Sequence, residues 1–592
     1  MDQERAKFPY WNRELPVDAR VDDLLGRMTV EEKAALLFHD IIFMGKDGEL
    51  ADAVPSFDML SNMDLVTKKM ISHFNVLGPI EDARRAAQWY NNIQREALNT
   101  RLGIPITLSS DPRNHFTDNV GTSFSAGIFS QWPESLGFAA LRETSLVERF
   151  ADIARQEYLA VGLRVSLHPQ VDLATEPRWA RINAAFGEDA HLTSELVAAY
   201  IRGFQGVELG PNSVSTMTKH FPGGGPQKDG EDPHFEYGRE QVYPGDHFEY
   251  HLEPFKAAIA AGTAQIMPYY GMPVGTQYEE VGFAYNKAIM TQLLREELGF
   301  EGIICTDWGL VTDKKILGQF MPARAWGVEH LTRPQRIQRL LEAGCDQLGG
   351  ESCPELLQDL VAQGDVSELR LDQSVRRLLR EKFILGLFDQ PFIDEDQAEH
   401  NVGNSEFCKL GNITQRRCYT LLTNREQCLP LATPQDLKFY IEGISREAAA
   451  ERGMNVVIDP GEADVALLRL KAPYDQRAGT FEALFHAGSL EFSQEEKSRQ
   501  AKIYQTVPVT IVDIYMDRPA IIPEIVDQAT AVLVSYGSSP DAFLDIIFNV
   551  YQPEGRLPFD IPSSMEAVQQ SRSDVPYDTA DPLFRFGHGL TY

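Results

Sequence analysis

Apolar residues in this chain gather in short runs that stop at polar or glycine-rich turns, and each run is followed by a longer stretch of helical period. In the first two thirds the runs are His73 to Leu77, Ile104 to Leu108, Leu163 to Leu167, Val214 to Thr218, Ala264 to Pro268, Gly302 to Thr306 and Asp346 to Leu348. Such runs read as strands buried on both faces, and spacings of about 30 to 60 residues leave room for a helix and a loop between parallel neighbours. Ahead of them, Thr29-Val30-Glu31-Glu32 has the spacing of a capping box and opens a helix into Ala34, Ala35, Leu36 and Leu37. The repeated strand and helix units predict a (β/α) barrel rather than an open sheet. Asp111, His168, Lys219-His220, Tyr269 and Asp307 follow the runs directly, at the carboxyl ends of strands, where barrels build active sites.

The pattern changes near residue 385, where the basic helix through Val375 to Leu379 gives way to Gly386-Leu387-Phe388-Asp389-Gln390-Pro391. Further strands are expected at Lys438 to Ile441, Val465 to Leu470, Val507 to Tyr515 and Ala531 to Tyr536, alternating with helices. The expected organisation is an arm and barrel over 1–390, a linker over 391–405 and a smaller layered α/β domain over 406–592.

Composition narrows the function. The chain has 592 residues, 43% hydrophobic and 24% charged, enough to bury a large interior. A formal charge of −31 repels phosphate backbones and anionic lipid, so neither a nucleic acid nor a membrane is an expected partner. Met1 to Lys7 lacks the basic and apolar segments of a secretory signal, and the six cysteines form neither a CxxC pair nor a dense framework. Reduced cysteines and cytoplasmic residence are the expectation.

Gly302 to Gly309 places Asp307 at the mouth of a buried strand beside Trp308, whose flat face suits a sugar ring; an aspartate capping the next helix is the plainer alternative. Lys219-His220-Phe221-Pro222-Gly223-Gly224-Gly225 offers two adjacent hydrogen-bonding side chains and then a turn, without the GxxxxGK[ST] pattern of a phosphate cradle. Glu176-Pro177-Arg178-Trp179-Ala180-Arg181 adds guanidinium groups able to hold hydroxyls or a carboxylate.

In this order, and with Ser110-Asp111-Pro112-Arg113, Phe186-Gly187-Glu188-Asp189, Gly555-Arg556-Leu557-Pro558 and the closing Phe586-Gly587-His588-Gly589, the motifs resemble glycoside hydrolase family 3 over nearly the whole chain. The resemblance implies a TIM-like (β/α) barrel followed by an αβα sandwich, without the fibronectin type III-like third domain of many relatives. It implies Asp307 as catalytic nucleophile, with Asp111, Arg181, Lys219, His220, Tyr269 and Trp308 around the terminal sugar. Ala180 departs from a usual glycine, and Gly224 from a frequent histidine. The activity implied is a retaining exo-β-glycosidase acting on terminal non-reducing β-D-glucosyl residues, with β-xylosides next, a glycoside as partner and no cofactor. A second protomer is the one protein partner left open.

The family's acid/base comes from a variable loop of the second domain, and the usual short pattern is missing here. Glu482, between Phe481 and Leu484, is the expected acid/base because apolar neighbours would raise its pKa; Asp475 and Glu491 remain alternatives. Asp232-Pro233-His234 allows a histidine-aspartate pair of the kind used by N-acetylglucosaminidase-like members. A non-catalytic sugar-binding protein is a remoter alternative. His247 and His251 have a metal spacing on a helix, but a solvated face is expected, with no required metal.

Overall fold

The computed structural model describes residues 7–431 and 434–592; Met1 to Ala6, on which most of the signal-segment reading falls, lie outside the described residues. Eight parallel strands form the first sheet: β1 (Phe38–Phe43), β2 (His73–Leu77), β3 (Thr107–Ser110), β4 (Leu163–Ser166), β5 (Ser215–Phe221), β6 (Gln265–Pro268), β7 (Ile303–Ile304) and β8 (Leu348–Gly349). The sheet runs β8-β1-β2-β3-β4-β5-β6-β7 and curls until its edges meet. There Cys305 bridges Gln347, and Asp346 N donates to Ile304 O at 2.8 Å. The fully buried Asp346 carboxylate pins this seam through Arg295 and Arg377 from outside and Ile304 N from within.

The seven expected strands each lie at or within a few residues of an observed one, whereas β1 was not anticipated. The helix Val30–Leu36 is capped by Thr29 and Glu32, and β1 begins only two residues later, at Phe38. His39 and Asp40 interrupt β1's apolar run because His39 points into the barrel, reaching Ser109 Oγ at 2.8 Å and Gln347 Oε1 at 3.2 Å. The segment expected as a linker contains the helix Glu395–Asn401, and Asn91 clasps its start through Ile393 O and Glu395 Oε1.

The second sheet holds β9 (Thr420–Asn424), β10 (Lys438–Glu442), β11 (Asn455–Val456), β12 (Val465–Lys471), β13 (Val509–Tyr515) and β14 (Ala531–Ser535), in the order β9-β14-β13-β12-β10-β11, with β9 antiparallel to β14 and the rest parallel. Alternate residues serve two cores. Val465, Leu467, Ile511 and Leu533 pack with Phe543 and Ile547 on one face, whereas Ala466, Leu468, Val512 and Val534 join the hydrophobic cluster that continues into the barrel. Burial on both faces explains why these strands read as unbroken apolar runs.

Polar clasps add to the shared core. Glu188 accepts Asp560 N and Tyr577 N, and Asp574 accepts Gly245 N and His247 N, both at 2.8 Å. Glu134 N donates to Tyr536 O across the same interface, while Glu134 Oε1 accepts Phe116 N, Thr117 N and the Thr117 hydroxyl. Burial pushes the Glu134 carboxyl up to about 7, against the pull of those donors. The native state therefore holds this proton after the unfolded chain has released it near pH 4.5, so stability falls as pH rises from there towards 7. Glu134→Gln, which keeps the accepting oxygen, should flatten this part of the stability profile. Urea midpoints measured between pH 4.5 and 8 check it; parallel profiles would show that Glu134 does not hold the proton.

Candidate active site

At the barrel mouth the charged side chains are buried and matched. Lys219 Nζ sits 2.8 Å from Asp111 Oδ1, both about 95% buried, and Asn75 Nδ2 donates to Asp111 Oδ2 at 3.3 Å. Arg181 Nη1 approaches His220 Nε2 at 2.9 Å, and His220 Nδ1 reaches Asp172 Oδ2 at 2.8 Å. Burial, reinforced by the Arg181 and Lys219 charges, holds His220 well below the usual histidine range. The ring is therefore neutral, accepting from Arg181 and donating to Asp172. Burial raises Asp172 to about 6, although Gly224 N and His220 N both donate to it.

Asp307 lies three residues beyond β7. Its Oδ1 accepts Trp308 N at 2.8 Å, and its Oδ2 is 3.8 Å from His220 Nε2. One small cavity is lined by Asp111, Arg181, Lys219, His220, Asp307 and Trp308, the residues expected from the sequence. Asn75, His234, Tyr270 and Arg324 line it too. Five buried atoms of the lining have no hydrogen-bond partner among the described residues: Asp307 Oδ2, Asn75 Oδ1, Arg181 Nε, Trp308 Nε1 and Arg324 Nε. Buried polar atoms are normally satisfied, so a group of donors and acceptors left over around one cavity marks a place for a polar ligand. Trp308 lies close over Gly350, where φ is +67° and a Cβ would come within 2.6 Å of the indole, so only glycine fits.

Tyr269 requires a correction. It is 1% exposed and does not line the cavity; its ring packs on His220 with centroids 4.4 Å apart, and its hydroxyl donates to Asp232 Oδ2 at 3.3 Å. Tyr270 takes the inward position and donates to Trp308 O at 2.8 Å. Neighbouring residues of extended backbone point to opposite sides, and the turn after Pro268 decides which of two adjacent tyrosines faces in. Asn75 was missed although it carried a signal, a polar residue in the middle of the buried run His73 to Leu77. Gly224 has a local cause for its departure, since a Cβ there would come within 2.6 Å of the Tyr269 ring. His168 is turned away, between the hydroxyls of Tyr200 at 2.6 Å and Tyr158 at 3.1 Å.

The loop after β12 reaches over the barrel. Phe481 enters the cavity lining, but Glu482 does not. Glu482 is half-buried, with Oε1 accepting the Tyr237 hydroxyl at 2.5 Å and Oε2 accepting Gly479 N at 3.3 Å. Phe481 packs inwards on His234 and Phe235, whereas the Glu482 carboxylate turns the other way, to Tyr237. Asp475 closes the loop on itself, its Oδ2 accepting Ser489 N at 3.0 Å, and Glu491 lies by the bridge to Ile521. Of the three candidates only Glu482 is held by barrel loops, through Tyr237 and through Gln319 Oε1, which accepts the Phe481 and Glu482 amides. Asp232 and His234 are paired at 2.6 Å, with His234 on the cavity wall between Tyr270 and Phe485.

His251 is buried rather than solvated, its Nε2 3.0 Å from Asp574 O, and His247 Nδ1 faces Gly245 O at 2.6 Å. The two rings have separate protein partners. No group of three histidine, cysteine or acidic side chains placed to hold a metal occurs among the described residues, and no described helix is long and apolar enough to cross a membrane.

A barrel mouth with a buried aspartate, paired cations and a roofing loop from a second sheet is the architecture of a glycoside-processing enzyme. Residues 42–381 match the glycosyl hydrolase family 3 N terminal domain and residues 433–592 the C-terminal domain, so the chain belongs to glycosyl hydrolase family 3. It is 58% identical to beta-glucosidase C of Emericella nidulans, over 98% of this chain and 94% of that protein. It is 39% identical to the periplasmic beta-glucosidase/beta-xylosidase of Dickeya chrysanthemi, over 99% of this chain and 91% of that protein. Among solved structures, a beta-glucosidase from Listeria innocua in complex with isofagomine shares the fold with a TM-score of 0.76 at 20% identity, covering 97% of this chain and 83% of that one.

Arg518 holds the roofing loop in place. Its buried guanidinium donates to Pro473 O, Ala487 O, Gly488 O and Ser489 O within the loop and to Arg178 O on the barrel. Arg518→Met should strand these carbonyls, destabilise the protein by on the order of 3 kcal/mol and lower kcat/KM at least about tenfold. Denaturant midpoints and proteolysis of the loop check this; an uncut loop with unchanged kcat/KM would contradict it.

Proposed function

We propose that this chain is a retaining β-glucosidase that removes terminal non-reducing β-D-glucosyl residues, with Asp307 as nucleophile. The observation that carries the reading is the cavity at the barrel mouth, where Asp307 Oδ2 and donors of Arg181, Trp308 and Arg324 have no hydrogen-bond partner among the described residues. The named activities of the relatives support the sugar and the anomer, and the Dickeya protein's name supports β-xylosides as secondary substrates.

In the proposed reaction Lys219, Asp111 and Asn75 bind hydroxyls of the terminal sugar, and Asp307 Oδ2 attacks the anomeric carbon. The neutral His220, fixed by Asp172, keeps Arg181 aimed at the pocket without adding a charge beside the nucleophile. Glu482 protonates the leaving oxygen and afterwards takes a proton from water, which attacks the glycosyl-enzyme and releases β-glucose. Tyr237 and Gln319 support this assignment by bringing the Glu482 segment to the barrel, although its carboxylate must turn from Tyr237 towards the substrate. One feature favours a second reading of the acid/base: His234, paired with Asp232, already lines the cavity with Asp307.

Asp307→Asn should retain the fold and lose about 10³-fold or more in turnover. Labelling of another residue by a 2-fluoroglucoside, or more than about a tenth of wild-type turnover, would remove Asp307 from its role.

Glu482→Ala should damage substrates with poor leaving groups far more than activated aryl glucosides, and azide should restore turnover. Azide rescue in His234→Ala but not in Glu482→Ala would move the role to the histidine-aspartate pair. A panel of nitrophenyl glucoside, xyloside and N-acetylglucosaminide ranks the sugars, with glucoside expected first.

A further inference from the structure

A second, larger cavity of about 480 Å³ lies between the barrel loops 112–123 and 180–184 and the second-domain segments 469–471, 483–486 and 515–517. It is separated from the Asp307 cavity by a thin partition. On one side Gly121 and Phe481 line the smaller cavity, and a Cβ on Gly121 would come within 2.9 Å of the Phe481 ring. On the other side Asn119 and Leu484 line the larger one, joined by a hydrogen bond from Asn119 Nδ2 to Leu484 O at 3.0 Å. Arg181 and Lys219 contribute to both linings.

The mechanism uses none of the polar groups on the far wall. Gln170 is 3% exposed, donates to Arg181 O, and has a buried Oε1 with no partner among the described residues. Asp517 Oδ2 lies 2.6 Å from His486 Nδ1, while its buried Oδ1 is likewise without a partner among the described residues. Glu134 directs only Oε1 to its backbone and threonine donors. Lys219 is already paired with Asp111 and Arg469 with Asp513, and burial keeps Glu134 protonated up to about pH 7, leaving Arg181 and Lys471 opposite Asp118 and Asp517 in the lining. Charges of both signs therefore balance, donors alternate with acceptors, and Phe116 and Tyr515 add aromatic surface. An anion or a cation finds no net attraction here, whereas a neutral molecule with many hydroxyls finds partners on every side.

We propose that this interdomain cavity is a second sugar site, taking a neutral mono- or disaccharide independently of the catalytic pocket. The test titrates glucose and cellobiose by calorimetry into the full chain after a 2-fluoroglucoside has covalently filled the catalytic pocket. One saturable site should remain, with a Kd below about 10 mM. Ala184→Trp, which places an indole in the cavity, should weaken it at least about tenfold while aryl glucoside turnover changes less than about twofold; Asp517→Asn should weaken binding in the same direction if the tryptophan variant does not fold. The proposal is overturned if the labelled protein binds neither sugar, or binds them equally well in both variants. It is also overturned if added sugar discharges the label as a transfer product, because the cavity would then be the acceptor side of the catalytic pocket. Failure of the label to attach would count against Asp307 as nucleophile, not against this site; the titration is then read on unlabelled protein as one sugar-binding event lost between wild type and Ala184→Trp.

Discussion

The constraint on which the barrel mouth depends is that charge removed from water must be paired. Lys219 with Asp111, and Arg181 through His220 to Asp172, place two cations and two carboxyl groups almost out of reach of solvent. Removing one partner of such a pair typically costs about 3–5 kcal/mol, because the survivor stays buried without compensation. That cost locks the ends of β3, β4 and β5 into one arrangement. It also keeps His220 neutral, so that Arg181 is held by a hydrogen bond and retains a free edge towards the cavity. What pairing does not consume is the chemistry of the site, since the unpartnered atoms of Asp307, Asn75, Arg181, Trp308 and Arg324 converge on one small space.

The second domain contributes a wall and a loop, and the same rule governs how it is attached. One face of its sheet shares the barrel's hydrophobic cluster, and Glu188 and Asp574 satisfy backbone amides across the interface. Arg518 gathers carbonyls from the loop that bears Glu482 and one from the barrel. In a loop with little regular structure, 472–492, one cation thereby satisfies carbonyls that a helix or strand would ordinarily pair, and Arg477 adds an ion pair to Glu231 on the barrel. Tyr237 and Gln319 extend this attachment to the barrel side.

Much of this was legible in the sequence because the information was local. A capping box needs only Thr29 and Glu32, a strand buried on both faces announces itself as an apolar run, and a barrel places its polar residues just after such runs. Asp111, Lys219, His220 and Asp307 stood out just after such runs, while their grouping with Arg181 and Trp308 around one sugar came from the ordered motifs that resemble the family. β1 was hidden because a barrel interior tolerates polar residues that bond across it, as His39 does with Ser109 and Gln347.

Only the tertiary structure decided matters that depend on direction. Tyr270 rather than Tyr269 faces the cavity, Gly224 is small because the Tyr269 ring occupies the space beside it, and His234, paired with Asp232, lines the same cavity as Asp307. Phe481 and Glu482 are adjacent, yet Phe481 turns inwards to the cavity while the Glu482 carboxylate turns to Tyr237, a residue 245 positions away. Sequence determines which side chains are available and at what spacing along an element. Which of two adjacent side chains reaches a shared cavity is set by the rotation of the backbone at each turn, and that rotation is fixed by packing between segments remote in the chain.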